Sequence, residues 1–241
     1  MTIQPTITSA HNERLKQVRR LRTRRERSAS GRFVAEGEDL LASADAAGWT
    51  AVERFCAPGS GLDGQPVEPD LLAGVSSLGS GTRTLAVYEQ RWSKPTGPLC
   101  VALHGVGDPG NVGTVLRGAH AFGASCVALG PGSADPFGPK AVRASMGAIF
   151  TVALARFETV AELPGCVVAL DPRADDPLGP ALPSGPTTVL VGAERGGLAP
   201  DVLAGAARTV RIPIAGDSLN AAMAATVALY ELTRARRISD P

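Results

Sequence analysis

Residues 211–231 read RIPIAGDSLNAAMAATVALYE. The apolar run ending at Ile214 predicts a short strand, Ala215-Gly216-Asp217 a tight turn, and the residues beyond it a helix that opens on Ser218-Leu219-Asn220. That helix offers Ala221, Ala222, Ala224 and Ala225, a wall of methyl groups placed just behind two polar side chains. Small residues in such a wall have two uses. They let main chain and a ligand approach closely, or they let the helix pack tightly on a sheet or a partner.

Working outward, the same rhythm fills the chain from Leu99 on. Strand LCVALHGV is followed by a helix from about Asn111, strand SCVALG, a helix near Lys140, strands FTVALA, CVVALD and TTVLVG, a helix near Pro200, strand TVRIPI and a terminal helix to about Arg237. Short, continuously apolar strands alternating with helices imply an α/β fold with a parallel sheet covered on both faces. Upstream stands a smaller α/β unit: FVAEG, the helix EDLLASADAAG, AVERFCAP, a Pro/Gly-rich stretch from Pro58 to Pro69, a short helix near Leu71, and TRTLAVYEQ. The segment RWSKPTGP, residues 91–98, carries two prolines and a glycine between apolar strands and reads as a linker. Two domains are therefore expected, 1–92 and 99–241.

Charge is divided unevenly between them. Residues 1–32 hold nine Lys/Arg against two acids, while the other 209 residues hold fifteen against twenty-one, so a net charge of +1 conceals a basic start and an acidic remainder. In HNERLKQVRRLRTRRERSASGR, Leu15, Val18 and Leu21 recur at three-residue spacing among the arginines, which predicts one amphipathic helix with a cationic outer face and a stop at Ser-Ala-Ser-Gly. Such a face suits nucleic acid. Of the 24 cations 21 are arginine, the planar donor best matched to phosphate.

Other classes are excluded in turn. Cys56, Cys100, Cys126 and Cys166 stand far apart with no CxxC pair and only three histidines beside them, so neither a zinc site nor a disulfide framework is indicated. No apolar stretch approaches the roughly 18 residues of a membrane span, and the N-terminus lacks the order of a signal peptide, which points to the cytoplasm. Gly105-Val-Gly107-Asp-Pro-Gly110 satisfies GxGxxG, yet the next strand ends in SCVALGPGS with no acid for a ribose, and Pro109 interrupts the loop. A dehydrogenase is disfavoured. There is no P-loop lysine motif either.

Three stretches make better sense together: DPGNVGTVLRGAHAFGA (108–124), with Asn111 at a helix start and Arg117 on its second turn; VLVGAERGGLAP (189–200), where a buried strand enters a glycine-rich turn bearing Glu194 and Arg195; and the segment quoted first. Each alone admits a plain structural role, Asn111 and Ser218 as helix caps and Glu194 as a turn carboxylate. In this order they resemble the three motifs of the SpoU (TrmH-like) branch of the SPOUT RNA 2′-O-ribose methyltransferases: DPGNVGTVLR, VGAERGG and IPIAGDSLNAAMAA. DPFGPKAVRASMGAIF (135–150) resembles a segment common between the first two. The loop between Gly216 and Ser218 is shorter than the family's usual one, with only Asp217 between them.

The resemblance implies a C-terminal domain tied in a deep trefoil knot that holds S-adenosylmethionine, a homodimer that completes the site, and an N-terminal ribosomal-protein-like domain that binds RNA. By position, Gly192, Ile212 and Leu219 resemble the cofactor contacts. Asn111, Arg117, Glu194, Ser218 and Asn220 resemble the polar set around the acceptor ribose. A guanidinium does not readily accept a proton, so the role expected of Arg117 is to grip phosphate and stabilise developing negative charge, with Glu194 orienting its neighbours. Ribosomal RNA is the favoured acceptor. Transfer RNA, or a non-catalytic RNA-binding role in ribosome assembly, are the rivals.

Overall fold

The computed structural model describes residues 5–77, 81–179 and 185–239. The extreme residues of both expected domains, 1–4 and 240–241, lie outside them. The N-terminal unit carries helices α1 (Glu13–Arg20) and α2 (Arg24–Ser30), strand β1 (Arg32–Glu36), α3 (Glu38–Ala46), β2 (Glu53–Cys56), β3 (Gln65–Pro66), α4 (Pro69–Val75) and β4 (Thr84–Glu89). Its sheet has the order β1-β4-β2-β3 and is antiparallel except where β3 joins β2.

The single basic helix expected here is two helices. Thr23 is the reason: its side chain accepts a hydrogen bond from Glu26 N–H and caps a second start, so the chain turns between Leu21 and Thr23. The outer face is also less cationic than its composition suggests. Arg14 donates to Glu53 and Gln65, Arg22 to the carbonyls of Gly74 and Ser76, and Arg27 is buried. Arg20, Arg24 and Arg25 remain exposed.

The larger unit contains β5 (Leu99–Leu103), α5 (Pro109–Ala121), β6 (Cys126–Leu129), α6 (Pro139–Ala144), β7 (Ala153–Arg156), β8 (Cys166–Leu170), β9 (Thr187–Val191), α7 (Pro200–Ala204), β10 (Arg208–Val210) and α8 (Ala221–Ser239). Its six strands are all parallel, in the order β10-β8-β9-β5-β6-β7. Because successive side chains of a strand face opposite ways, the apolar runs feed two cores. Val101, Leu103, Val127 and Val189 meet Val115, Leu116, Ala225 and Leu229 of α5 and α8 on one face. Cys100, Ala102, Cys126, Ala128 and Leu190 meet Val160, Leu163 and Leu198 on the other. A Cβ at Gly113 would run into the backbone of Ala141, so glycine there is what lets α5 and α6 touch.

Residues 91–98 do not act as a loose tether. Ser93 pairs with the edge strand β7, donating its N–H to Leu154 O at 2.7 Å. The two units also share one aromatic cluster: Phe33 lies 4.8 Å from Phe137 between ring centroids, and Trp49 Nε1 donates to Phe150 O at 2.8 Å. Arg27 completes the join, with Nε and Nη2 both 2.8 Å from Asp135 Oδ2 and Nη1 donating to the carbonyls of Leu21 and Arg22. A nearly dry guanidinium holds its charge only with such a full set of partners.

Candidate functional site

At the carboxyl ends of parallel strands the polypeptide leaves the sheet in loops, and a crevice forms where neighbouring loops part. Here the crevice opens beyond β8 and β9. It is a cavity of about 380 Å³, walled by the segment Leu170–Arg173, the turn Val191–Gly197, Ile212, Ile214, Ser218, Leu219 and the first turn of α8. That volume falls within the roughly 300–1,000 Å³ of small-molecule sites.

The turn after β9 has little choice of sequence at its first residue. A Cβ at Gly192 would stand 2.5 Å from the carbonyl carbon of Gly197, because Ala193 and Gly197 exchange backbone hydrogen bonds and fold the turn back on itself. Main-chain groups thereby face the cavity with no side chain before them. Gly192, Ile212, Ser218 and Leu219 all line it, despite the shortened loop before Ser218. The alanine wall does both things expected of it: Ala221 and Ala224 line the cavity, while Ala222, Ala225 and Ala228 are buried in the core against the sheet.

At the mouth three polar side chains from distant segments meet. Asn111 Nδ2 donates to Glu194 Oε1, and Asn220 Nδ2 donates to Asn111 Oδ1 at 3.1 Å and to Glu194 Oε1 at 3.4 Å. Sequence separations of 83 and 109 residues are closed by this triangle. Helix ends set its geometry. Asn111 does not cap α5; Asp108 does, accepting from Asn111 N–H at 3.0 Å, with Pro109 in the first turn. Ser218 is not the cap of α8 either. Asn220 is, its Oδ1 accepting from Ala222 and Met223 N–H at 2.9 and 3.3 Å, which leaves its Nδ2 to point at Asn111.

Arg117 stands apart. It lies six residues beyond Asn111 on α5, about 9 Å along the axis and about 120° round it. Its side chain is exposed and makes no hydrogen bond or ion pair among the described residues. Glu194 therefore orients Asn111 and Asn220, and not Arg117. Within one chain the structure brings together Asn111, Glu194 and Asn220 at the rim of a cavity lined by Gly192, Ile212, Ser218 and Leu219, with Arg117 outside that group.

Sequence reasoning passed over two residues of the cavity wall. Asp171 and Arg173 follow β8 and pair at 3.1 Å, and hydrogen bonds from Arg173 hold the Asp171 carboxyl below the ordinary aspartate range. The signal was present, since an acid at the carboxyl end of a buried parallel strand faces the crevice. Asp108 is similarly lowered, first by Lys140 Nζ at 2.7 Å from Oδ2 and then by the Asn111 N–H, so Lys140 of the intervening segment steadies the start of α5.

Comparison with known proteins identifies the family. The SpoU rRNA Methylase family matches residues 98–230, and the MRM3-like substrate binding domain matches residues 12–91. The 23S rRNA (guanosine(2553)-2′-O)-methyltransferase RlmP of Bacillus subtilis is 28% identical over 94% of this chain and 98% of its own. An rRNA methyltransferase from Sinorhizobium meliloti, solved with AdoMet bound, superposes with a TM-score of 0.85 at 30% identity, covering 97% of this chain and 98% of that one. The SpoU methyltransferase AviRb from Streptomyces viridochromogenes, in complex with AdoMet, gives 0.84 at 28% identity over 96% and 100%. With three motifs converging on one crevice and the family's match spanning the six-stranded sheet, the chain belongs to the SpoU rRNA methylase family.

Proposed function

We propose that the protein is an S-adenosylmethionine-dependent methyltransferase acting on a ribose 2′-hydroxyl of ribosomal RNA. The observation that carries this reading is the junction of a main-chain-lined cavity with the Asn111–Glu194–Asn220 triangle at its mouth. The residues fit the cofactor: the bare turn at Gly192 offers backbone donors and acceptors to an adenine edge, and Ile212, Leu219 and Ala224 offer apolar surface to its faces. Bound there, S-adenosylmethionine supplies a methyl carbon on a positively charged sulfur.

The chain's own residues do the rest. Asn111 and Asn220, locked through Glu194, place the acceptor ribose over the mouth of the cavity, where its 2′ oxygen would meet the methyl group that the cofactor would supply. On methylation the ribose hydroxyl would release its proton to solvent. Arg117, which stands outside the triangle in its own chain, reaches the site across the dimer, where it holds the adjoining phosphate and stabilises the negative charge that gathers on the oxygen.

The homodimer belongs to the same proposal. Met223 and Tyr230 on α8 are 58% and 51% exposed, and Phe122 at the end of α5 lies against Tyr230 at 6.4 Å, an apolar face beside the helix that bears the unengaged Arg117. A partner seated there completes the polar set. The knot also belongs here, supported by the loop after β8: Leu178 N–H donates to Arg211 O and Arg211 N–H to Asp176 O, so the chain leaving β10 passes against that loop before α8 begins. Arg20, Arg24 and Arg25 support RNA binding by the N-terminal unit, and the cytoplasm is where such RNA is met. Among the described residues no helix is long and apolar enough to cross a membrane.

Incubating the protein with tritiated S-adenosylmethionine and rRNA from cells lacking it tests the reaction. Label is expected in a dinucleotide that survives alkaline hydrolysis, since a methylated 2′ oxygen cannot attack its phosphate. Absence of label from rRNA would overturn the reading.

A further inference from the structure

A second hollow, of about 310 Å³, opens on the same edge of the six-stranded sheet. It lies at the carboxyl ends of β6 and β7, where the turn after β6 faces Trp92 and Arg156, and α2 of the N-terminal unit supplies Arg24 from across the domain junction. The sheet order sets three interstrand steps between this hollow and the crevice at β8 and β9, about 14 Å. Asn111 follows β5, between the two. The turn after β6 packs directly on the one after β5, a Cβ at Gly132 standing 3.2 Å from Gly105 Cα, so the edge is continuous from one hollow to the other.

The chemistry of the lining is particular. Arg156 Cζ sits 4.0 Å over the Trp92 ring, and Trp92 is held from behind by Phe137, edge-on at 5.2 Å, and by its Nε1 donating to Gln90 Oε1. The exposed outer side of Arg156 is thus a flat cationic platform on a fixed aromatic base. Arg24 is exposed and has no hydrogen-bond or ionic partner among the described residues. Asp135 in the wall is already taken by Arg27, which leaves exposed Glu158 as the free carboxylate acceptor. A stacking plane, a phosphate-binding guanidinium and one acceptor for an amino or imino group are what an unstacked nucleotide requires.

We propose that this hollow holds an unpaired nucleotide of the substrate RNA close to the methylated one, its base on Arg156 and its phosphate at Arg24. The proposal rests on the RNA-methylation reading above. Arg27 then has a purpose beyond stability, because its pairing with Asp135 fixes α2 where Arg24 reaches the hollow.

Protein-free 23S rRNA serves as the probe, with the full-length protein, the double variant Arg24→Ala/Arg156→Ala, and Arg156→Lys. Both arginines are exposed, and equal melting temperatures show that the variants fold. The double variant is expected to raise KM for the RNA about tenfold while kcat at saturation and S-adenosylmethionine affinity stay unchanged, and Arg156→Lys, which keeps charge but loses the plane, is expected to fall between. Filter binding of the same RNA runs alongside. No methyl transfer by the wild-type protein would overturn the reading of the reaction, whereas equal RNA affinity of wild type and double variant, or RNA bound by neither, would overturn the second hollow.

Discussion

Arg27 and Asp135 lie 108 residues apart and meet with 5% and 15% of their side chains exposed, whereas Asn111, 83 and 109 residues from Glu194 and Asn220, meets them at the open mouth of a cavity. Both junctions are polar, and both tie remote segments together. Their surroundings give them opposite jobs. Once dry, the ion pair is costly to break, because either partner left alone is an uncompensated buried charge. The triangle stays wet, so water replaces any lost hydrogen bond at little cost, and what suffers is the direction in which the remaining groups point. One junction joins the two units; the other fixes the directions of three side chains at the rim of the cavity.

The largest expected effect tests the first half of that contrast. Arg27→Ala should lower unfolding free energy by about 3–5 kcal/mol, read by urea titration, while the double change Arg27→Met/Asp135→Leu should recover much of it. Equal stability of the wild type and Arg27→Ala would mean that the shared aromatic cluster alone holds the units together.

Next comes Arg117→Ala, which should cut kcat about 10²–10³-fold with melting temperature and cofactor affinity unchanged, since the exposed side chain makes no hydrogen bond or ion pair among the described residues. Parallel loss of cofactor binding would place Arg117 in the cavity and blur the distinction drawn here.

Within the triangle the effects divide further. Asn220→Ala should cost about 1 kcal/mol, because Asn220 also caps α8. Glu194→Ala should stay within about 0.5 kcal/mol of the wild type and still lower kcat about tenfold. Measuring both quantities on both variants separates capping from orientation.

The smallest effect concerns acid. Asp171 is depressed by Arg173 and Asp108 by Lys140, so each contributes stability that is present above the ordinary aspartate pKa and is lost as pH falls through its lower folded value. Below about pH 4 stability should therefore decline with a slope that Asp171→Asn reduces. An unchanged slope in that variant would remove the pair at the cavity wall from the account.

Much of this could be read along the chain. The apolar runs from Leu99 to Val210 gave the parallel α/β sheet because strands buried on both faces have no polar alternation, although the last strand stops at Val210 and the Ile212–Ile214 run expected to extend it lines the cavity instead, and the three motifs gave the residues that gather at the crevice. Some local detail was readable and passed over: Thr23-x-x-Glu26 carries the signature of a helix start, and Asp108-Pro109 that of a cap followed by a first-turn proline. The two-residue strand β3, built around a proline, gave no periodic signal at all.

Other features had no local trace. Arg20, Arg24 and Arg27 look alike in a run of arginines, and only folding divides them into exposed cations and a buried bolt, because burial depends on Asp135 arriving from a different domain. Likewise the sequence by itself determined that polar residues would stand at the starts of two helices, through the types and spacings that nearby backbone dictates. That Asn111 and Asn220 share one carboxylate, that Arg117 does not join them, and that alanines divide between cavity and core were decided by tertiary structure. The physical reason is the same in each case: a side chain's partner and its dielectric surroundings are supplied by segments far along the chain, and no local pattern encodes which of them will arrive.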